Sequence, residues 1–314
     1  MVLGEEEVRS LLQMEELIPA MATALRDLSA GRVEQPMRLV LPVSEYKGFF
    51  AVMPASGGGA LGAKLVTFYP NNQNVHTHHA MILLFRPETG EPLVTMDGRL
   101  ITEMRTAAVS AVATDALARP DVSVLTILGS GVQARSHLEA LRIVRKFREV
   151  RVWSPRNSEE FARRFDISAA PSAEEAVRGA DVIVVATAAE RPVLMGEWLS
   201  PGAHINAVGA TRPNWRELDD EVLRKARIYV ESREAAMKES GDIIAAGHVF
   251  AEIGEVVAGL KSGRESGEEI TLFKSVGVAM EDVVAASLVY RNAERRTTND
   301  EGRVKRKGQW KEDS

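Results

Sequence analysis

The sequence predicts an α/β protein in which a doubly wound parallel sheet is inserted into a discontinuous α+β unit. From residue 121 onward, strands that are apolar nearly throughout alternate with helical stretches, which is typical of a parallel sheet buried on both faces. Before that point, residues 36–97 form short apolar runs separated by glycine, proline and asparagine, the pattern of an antiparallel sheet. A final periodic helix near 277–291 follows the last parallel strand and is free to pack back on the first unit.

Two helices flank the predicted antiparallel sheet. Residues 5–30 carry apolar positions at helical spacing and end at Gly31. Residues 98–118 form the other helix, which stops before Pro120. The strands of the parallel sheet then follow, and they are "SVLTIL", "EVRVW", "DVIVVAT", "HINAVG", "RIYVE" and "EITLFK".

These patterns divide the chain into three parts. Residues 1–118 plus 277–293 form one domain, and residues 119–276 form the other. Residues 294–314 carry charges of both signs with almost no apolar periodicity, so we predict a disordered tail. The basic cluster "KRK" at 305–307 can contact a polyanion, although the composition favours a solvated end.

Composition excludes several classes of protein. Of the 314 residues, 45% are hydrophobic and 26% are charged, and a formal net charge of −5 gives no global reason to expect nucleic acid as a partner. The chain has no apolar run long enough to span a membrane, and its acidic opening lacks the features of a signal peptide. We therefore expect a cytoplasmic location and no membrane partner. The absence of cysteine excludes thiol nucleophiles, disulfides and thiolate metal sites.

The strongest motif lies where the first parallel strand meets its helix. The segment "GSGVQA" at 129–134 satisfies G-x-G-x-x-A in the strand-then-helix context that dinucleotide binding requires. Its first glycine makes the tight turn, its second lets a pyrophosphate approach the backbone, and the helix N-terminus offers N–H donors. A plain strand-to-helix corner is the alternative, which the further parallel strands disfavour. The predicted cofactor contacts are Gly129, Ser130, Gly131, Val132 and Gln133.

The end of the second parallel strand predicts which dinucleotide binds. In NAD enzymes an acidic residue about 20 positions after the turn binds the ribose 2′-hydroxyl. Here that segment is "WSPRN", with no carboxylate before Glu159. Ser154, Arg156 and Asn157 supply the cationic and hydrogen-bonding donors that suit a 2′-phosphate. We therefore predict NADP as the cofactor, with NADPH preferred over NADH, and a solvated loop arginine is the alternative.

Three cationic residues of the first domain lie within unusually apolar segments of the sequence. Arg38, Lys64 and Arg105 are each flanked by residues that should be buried. Burying a cation is costly unless an anion compensates it. Because no matching acids lie nearby in sequence, we predict an anionic ligand, most simply a carboxylate. Edge residues that reach solvent, or ion pairs with acids distant in sequence, are the alternatives.

Three histidines lie at the entrance of one predicted strand. His76 and His78 resemble a metal-binding pair, since alternate residues of a strand share a face. The sequence offers no third metal ligand at a plausible spacing from this pair, and His79 points to the other face of the predicted strand from His78. We therefore predict hydrogen-bonded structural histidines and no metal.

Several blocks of the chain together resemble the ornithine cyclodeaminase/mu-crystallin family over about residues 5–292. The block "GAHINAVGATRPNWRELDDE" is most similar to the mu-crystallin (ketimine reductase) branch. The other blocks, in the family's order, are "QPMRLVLPV", "AKLVTFY", "THHAMILLF", "MDGRLITEMRTAAVSA", "ILGSGVQA" and "FKSVGVAMEDVVAA".

This resemblance implies a substrate-binding and dimerisation domain interrupted by a Rossmann domain, and a homodimer built from the sheet domains. It implies that Arg38, Lys64 and Arg105 surround the substrate carboxylate and that His78 lies near the site. It also implies that Arg156 contacts the NADP phosphate. The residues that it places beside the nicotinamide are Val208, Gly209 and Ala210.

One position separates the branches of the family. Cyclodeaminases and the related archaeal alanine dehydrogenases carry an aspartate with a proton-transfer role where this sequence has Thr211. Removing a proton from an ammonium group needs a base, and a threonine hydroxyl is far too weak. Thr211 therefore favours the reduction of an imine that arrives already protonated.

We accordingly predict an NADPH-dependent reductase in amino-acid metabolism. Its substrate is a cyclic imine bearing a 2-carboxylate, such as pyrroline-2-carboxylate or piperideine-2-carboxylate, and its products are amino acids such as L-proline or L-pipecolate. Lys64 either stabilises the carboxylate or returns a proton to nitrogen. The alternatives are cyclodeamination of ornithine or lysine, an amino-acid dehydrogenase on the same scaffold, and a non-catalytic protein that binds NADPH.

Overall fold

The protein contains two β-sheets joined by helices that contact both. Its structure is a computed structural model that describes residues 1–309, with side chains described for 1–298. One sheet has seven strands and the other has eight. The predicted α/β fold with a parallel, Rossmann-type sheet is confirmed.

The first sheet is built from residues 1–97 and is largely antiparallel. Its strands are β1 (Val2–Leu3), β2 (Val33–Glu34), β3 (Leu39–Val43), β4 (Gly48–Gly57), β5 (Ala60–Phe68), β6 (His78–Phe85) and β7 (Pro92–Asp97). They lie in the order β1-β7-β6-β5-β4-β2, with β3 paired to β4. The strands from β4 to β7 pair antiparallel with their neighbours in the chain, whereas β1 joins β7 in parallel.

The second sheet is parallel. Its strands are β8 (Val124–Leu128), β9 (Glu149–Trp153), β10 (Ser168–Ala169), β11 (Val182–Val185), β12 (His204–Ala207), β13 (Ala226–Val230), β14 (Ala251–Glu252) and β15 (Ile270–Lys274). They lie in the order β10-β9-β8-β11-β12-β15-β13-β14. Every residue of β8 and β11 is buried, which is why these strands are apolar almost throughout.

Helices cover the faces of both sheets. They are α1 (Glu5–Leu11), α2 (Met14–Ser29), α3 (Arg99–Leu117), α4 (Val132–Val144), α5 (Ser158–Phe165), α6 (Ala173–Val177), α7 (Asp220–Lys225), α8 (Arg233–Glu239), α9 (Gly241–Ala246), α10 (Ile253–Val257) and α11 (Ala279–Gln309). α2, α3 and α11 pack together, and α11 also covers β4 and β5. Within residues 1–309, none of these helices combines the length and the apolar character that crossing a bilayer requires.

The last parallel strand lies in the interior of its sheet. β15 pairs with β12 on one side and with β13 on the other, so the chain leaves the sheet beside the carboxyl ends of its inner strands. From there α11 packs against the first sheet, as the sequence predicts. This path brings residues 275–282 to the junction between the two sheets.

Two predictions about helix extent are wrong. Residues 5–30 form two helices, because Leu12 and Gln13 have extended backbone at the point where α1 gives way to α2. The tail predicted to be disordered from residue 294 instead continues α11 to Gln309, and Arg296 donates to the carbonyl of Ser10 at 2.6 Å. Residues 310–314, and the side chains of the basic cluster at 305–307, lie outside the described part of the chain.

Candidate active site and cofactor groove

A cavity of about 550 Å³ lies between the two sheets. One wall comes from β4 and β5 of the first sheet. The opposite wall comes from residues 208–213, which follow β12, and from residues 275–277, which follow β15. In open α/β sheets ligands bind beyond the carboxyl ends of the strands, so the cavity occupies the expected place for a substrate.

Lys64 and Arg105 line the cavity as a fully paired cluster. Lys64 Nζ lies 2.6 Å from the carboxylate of Asp282, and Arg105 Nε donates to the same carboxylate at 2.9 Å. Arg105 Nη1 also donates to Glu281 at 2.6 Å. Both acids belong to α11, far away in the sequence. The alternative of ion pairs with acids distant in sequence therefore applies to both cations.

Arg38 lines the same cavity and is paired as well. Its Nη2 donates to the carbonyl of Gly277 at 2.7 Å and lies 2.7 Å from Glu239 Oε2. The alternative of ion pairs with acids distant in sequence thus holds for all three predicted cations. The structure nevertheless brings them to one cavity. The predicted site residues that line it are Arg38, Lys64, His78, Arg105, Gln133, Val208 and Thr211.

Burial and neighbouring charges shift the titration of the buried groups. Burial, aided by Arg105 and opposed by Asp282, lowers the pKa of Lys64 to about 8. Burial and the charge of Lys64 lower the pKa of His78 to about 4, so its imidazole is neutral at neutral pH. Burial and the neighbouring Glu231 raise the pKa of Glu281 to about 8. Lys64 therefore exchanges its proton closer to neutral pH than His78 does.

The glycine turn has the shape that a pyrophosphate needs. Gly129 has φ of +118°, and a side chain there would lie 2.3 Å from the carbonyl oxygen of Ala186, so the position requires glycine. A Cβ on Gly131 would meet no atom within 4 Å, which leaves the space over the turn open. Gly131 offers no side-chain cap to α4, so the first N–H groups of this helix are available to phosphate oxygens. Gln133 Oε1 is buried without a hydrogen-bond partner within the described part of the chain, and Gln133 also lines the cavity.

The loop after β9 lies beside this turn. Ser154 Oγ is 2.8 Å from Ser130 Oγ and accepts a hydrogen bond from the backbone N–H of Asn157. Arg156 and Asn157 are exposed, and Arg156 has no ion pair among residues 1–298. The loop therefore presents a free guanidinium and hydroxyl groups next to the predicted phosphate site. Val132, the remaining predicted contact, is exposed at the start of α4.

The segment after β12 connects the turn region with the cavity. A Cβ on Gly209 would lie 2.4 Å from both Glu217 Oε1 and the carbonyl of Thr187, so this position also requires glycine. Ala210 is buried in the left-handed region with φ of +49°, which is uncommon for a residue with a side chain. The next residue, Thr211, is exposed at the cavity.

Comparisons with known proteins agree with this geometry. A model of the ornithine cyclodeaminase/mu-crystallin family matches residues 1–297. The chain belongs to this family. It is 51% identical over 301 residues to the ketimine reductase mu-crystallin of Mus musculus, covering 92% of this chain and 96% of the relative.

Two solved structures are similar to this chain over most of its length. The structure of Thermococcus litoralis Δ1-pyrroline-2-carboxylate reductase with NADH and L-proline has a TM-score of 0.90 and 40% identity, covering 95% of this chain and 98% of that chain. An archaeal alanine dehydrogenase dimer with bound NAD also has a TM-score of 0.90 and 40% identity, covering 95% and 97%. The prediction of an NAD(P)H-dependent oxidoreductase is confirmed.

One cavity residue of this family member is missed by the sequence analysis. The guanidinium of Arg212 stacks on the rings of Trp215, Phe68 and Phe49, at 4.5, 5.3 and 5.8 Å from their centroids. Among residues 1–298 it has no carboxylate within ion-pair distance, in contrast to the three predicted cations. The signal was present, since "TRPNW" places an arginine near a tryptophan directly after the predicted cofactor strand.

The three histidines at the start of β6 differ in their exposure to solvent and in their position relative to the cavity. His78 faces the cavity, whereas His76 and His79 are exposed, with their rings in edge contact at 6.1 Å between centroids. In the part of the chain whose side chains are described, no three acidic or histidine side chains are grouped to hold a metal ion.

Proposed function

We propose that this chain is an NADPH-dependent reductase of cyclic ketimines that carry a 2-carboxylate. Pyrroline-2-carboxylate and piperideine-2-carboxylate would be its substrates, and L-proline and L-pipecolate its products. The observation that carries the proposal is that Arg38, Lys64 and Arg105 line one cavity whose opposite wall follows β12, on the same sheet edge as the glycine turn after β8 and with only β11 between the two strands. A small anion held by these cations would thus lie against the cofactor groove.

The cavity suits a small carboxylate with an apolar ring. Arg38 and Arg105 offer guanidinium groups that can bind a carboxylate through two hydrogen bonds. The walls beside them include Phe49, Met53 and Val66, which exclude water from the reacting carbon. Holding the substrate in this orientation supplies several kcal/mol of the barrier reduction, of the order of 7–11 in well-oriented reactions.

The cofactor preference rests on the loop after β9. The exposed Arg156, together with Ser154 and Asn157, would bind the 2′-phosphate of NADPH. The first turn of α4 would bind the pyrophosphate, and the region of Val208, Gly209 and Ala210 would contact the nicotinamide. When bound, the cofactor supplies a hydride to the carbon of the C=N bond.

Cavity side chains would control the protonation of the substrate nitrogen. Lys64 Nζ holds a proton that it can share with the substrate nitrogen, because burial lowers its pKa to about 8 and Asp282 stabilises its charged form. Thr211 provides no base for the removal of an ammonium proton. His78, neutral at neutral pH, can accept a hydrogen bond from the substrate but carries no charge to repel the cations.

We also propose that the protein is a cytoplasmic homodimer. β3 exposes Leu39, Val40 and Leu41, three apolar side chains on an edge strand of the first sheet. Covering this strand with a second copy would remove apolar surface and unpaired backbone groups from water. The archaeal relative is described as a dimer, which supports this arrangement.

The proposal is tested by following NADPH oxidation with each cyclic imine as substrate. The variant Arg38→Ala should lower kcat/KM by about 10- to 100-fold, the loss expected for a charged hydrogen bond of roughly 1.5–3 kcal/mol. Arg163→Ala, which removes an exposed arginine on α5, is the matched control and should leave kcat/KM unchanged. A wild type no faster than Arg38→Ala, or release of ammonia from ornithine in place of imine reduction, would overturn the proposal.

A further inference from the structure

A second buried charge cluster lies behind the wall at 208–213. Lys274, at the end of β15, has no exposed surface, and neither do Glu217 and Asp242. Lys274 Nζ lies 3.2 Å from Asp242 Oδ2 and 3.9 Å from Glu217 Oε2, and it donates a hydrogen bond to the carbonyl of Gly209. No part of this cluster lines the cavity.

The two acids fix neighbouring segments through their remaining oxygens. Asp242 Oδ1 accepts hydrogen bonds from the backbone N–H groups of Glu217 and Leu218, each at 3.1 Å. Glu217 Oε1 accepts from the N–H and the hydroxyl of Thr187, at 2.8 and 2.6 Å. The cluster therefore connects the ends of β11, β12 and β15 at the edge where the cofactor would bind.

The carbonyl that Lys274 holds belongs to a strained segment. Gly209 precedes Ala210, whose left-handed backbone is unfavourable for a residue with a side chain and persists where its surroundings hold it. A return of Ala210 to an extended conformation would redirect Thr211 and Arg212, which line the cavity. Among residues 1–298, the Gly209 carbonyl bond is the one that joins Lys274 to this segment.

Burying three charged groups is expensive, so the cluster needs a compensating gain. A buried charge pair is often replaced by apolar residues without loss of stability. Here the compensating gain is a fixed position of the backbone at Gly209, because the ammonium group of Lys274 donates to the carbonyl of this residue. All three side chains are fully buried, and this burial raises the pKa of Glu217 to about 7.

We propose that Lys274 is a positioning residue for hydride transfer. By holding the Gly209 carbonyl it fixes residues 209–212, the wall at which the cofactor groove meets the substrate cavity. Glu217 and Asp242, which lie 3.9 and 3.2 Å from its Nζ, keep its side chain aimed at that carbonyl. This inference rests on the proposed function for its kinetic consequence, while its structural content stands independently.

The test separates positioning from stability with two variants. Lys274→Met removes the donor and takes away the buried ammonium group that Glu217 and Asp242 share, leaving Asp242 with Arg216 at 4.0 Å, so it should unfold at a lower temperature than wild type. The double variant Lys274→Met/Asp242→Asn removes one of these charges, and the asparagine oxygen can still accept from Glu217 and Leu218. The double variant should therefore regain much of the lost thermal stability while its kcat stays about 10- to 100-fold low, the cost of small misplacements of reacting groups.

Binding measurements and a matched lysine complete the kinetic test. The dissociation constant for NADPH should stay within about threefold in the double variant, since most contacts to the phosphates lie elsewhere. Lys225→Met is the control, because Lys225 also donates to a glycine carbonyl, that of Gly196, but away from the cavity. It should leave kcat unchanged. Recovery of kcat together with thermal stability in the double variant would overturn the proposal.

Hydrogen exchange tests the same role without catalysis. The amides of residues 209–212 should exchange faster in the double variant than in wild type, with those of β8 and α4 unchanged. Wild-type exchange at residues 209–212 in that variant would overturn the proposal. If wild type reduces none of the cyclic imines, the proposed function fails, and the exchange data still decide whether Lys274 holds this segment.

Discussion

Lys64 and Asp282 form an ion pair of 2.6 Å in which the lysine is 3% exposed and the aspartate is fully buried. Lys64 lies on β5 of the first sheet, whereas Asp282 lies on the helix that leaves the second sheet through β15. Arg105 on α3 donates to the same carboxylate. One acid therefore holds two of the three cations predicted from the sequence in place, and it does so from the helix that links the two sheets.

Removing this acid should destabilise the protein strongly. Asp282→Asn leaves Lys64 and Arg105 with one fewer buried counter-charge, and breaking a buried pair costs roughly 3–5 kcal/mol. The free energy of unfolding, measured in urea, should fall by an amount of this size. Asp220→Asn is the control, because Asp220 pairs with Arg216 at the surface with 89% of its side chain exposed, and surface pairs contribute about 0–1 kcal/mol. Equal losses for the two variants would contradict the role of Asp282.

The dependence of these pairs on distant segments explains what sequence analysis could and could not find. The glycine turn at 129–134 could be predicted because its backbone conformation is set by local residues and by the strand and helix beside it. The acids that pair with Arg38, Lys64 and Arg105 could not, since nothing near these cations in sequence identifies a partner on α8 or α11. The structure therefore shows that the three cations are paired with distant acids and that they still line one cavity.

Strand order shows the same limit. Apolar runs predict the strands of the parallel sheet, because a strand buried on both faces is apolar almost throughout. The position of β15 between β12 and β13 cannot be read from a local sequence pattern, since it depends on the path of the whole chain. The cluster of Lys274, Glu217 and Asp242 depends on that position and was accordingly missed.

The pH dependence of imine reduction should report Lys64. Its pKa is lowered from 10.5 to about 8 by burial, so Nζ carries its proton below this pH and loses it above. If the proton is shared with the substrate nitrogen, kcat/KM falls as the pH rises through about 8. Lys64→Arg keeps the charge but does not titrate in this range, so its profile should lack this decline at lower overall activity. A decline that persists unchanged in Lys64→Arg would assign the titration to another group.

Cofactor preference should depend on Arg156. Arg156→Ala removes the exposed guanidinium beside Ser154 and should raise the dissociation constant for NADPH by about 10- to 100-fold, the loss of roughly 1.5–3 kcal/mol for a charged hydrogen bond. Binding of NADH should change little, because it lacks the 2′-phosphate. Fluorescence titration with both cofactors measures this, with Arg163→Ala as the control on the neighbouring helix. An equal loss for NADPH and NADH would contradict the assignment of the phosphate site.

Arg212 should affect catalysis although it lies outside the predicted site. Its guanidinium contacts the rings of Phe49 and Phe68 on the first sheet and of Trp215 on its own segment, so it joins the two walls of the cavity. Cation–π contacts of this kind contribute about 0.5–2 kcal/mol each. Arg212→Met removes the charge and should lower kcat/KM for the cyclic imines by about 10-fold or more. Arg212→Lys keeps the charge but loses the planar stacking, so it should fall between wild type and Arg212→Met. Equal activities for Arg212→Lys and Arg212→Met would mean that stacking, and not charge, is what the cavity requires of this residue.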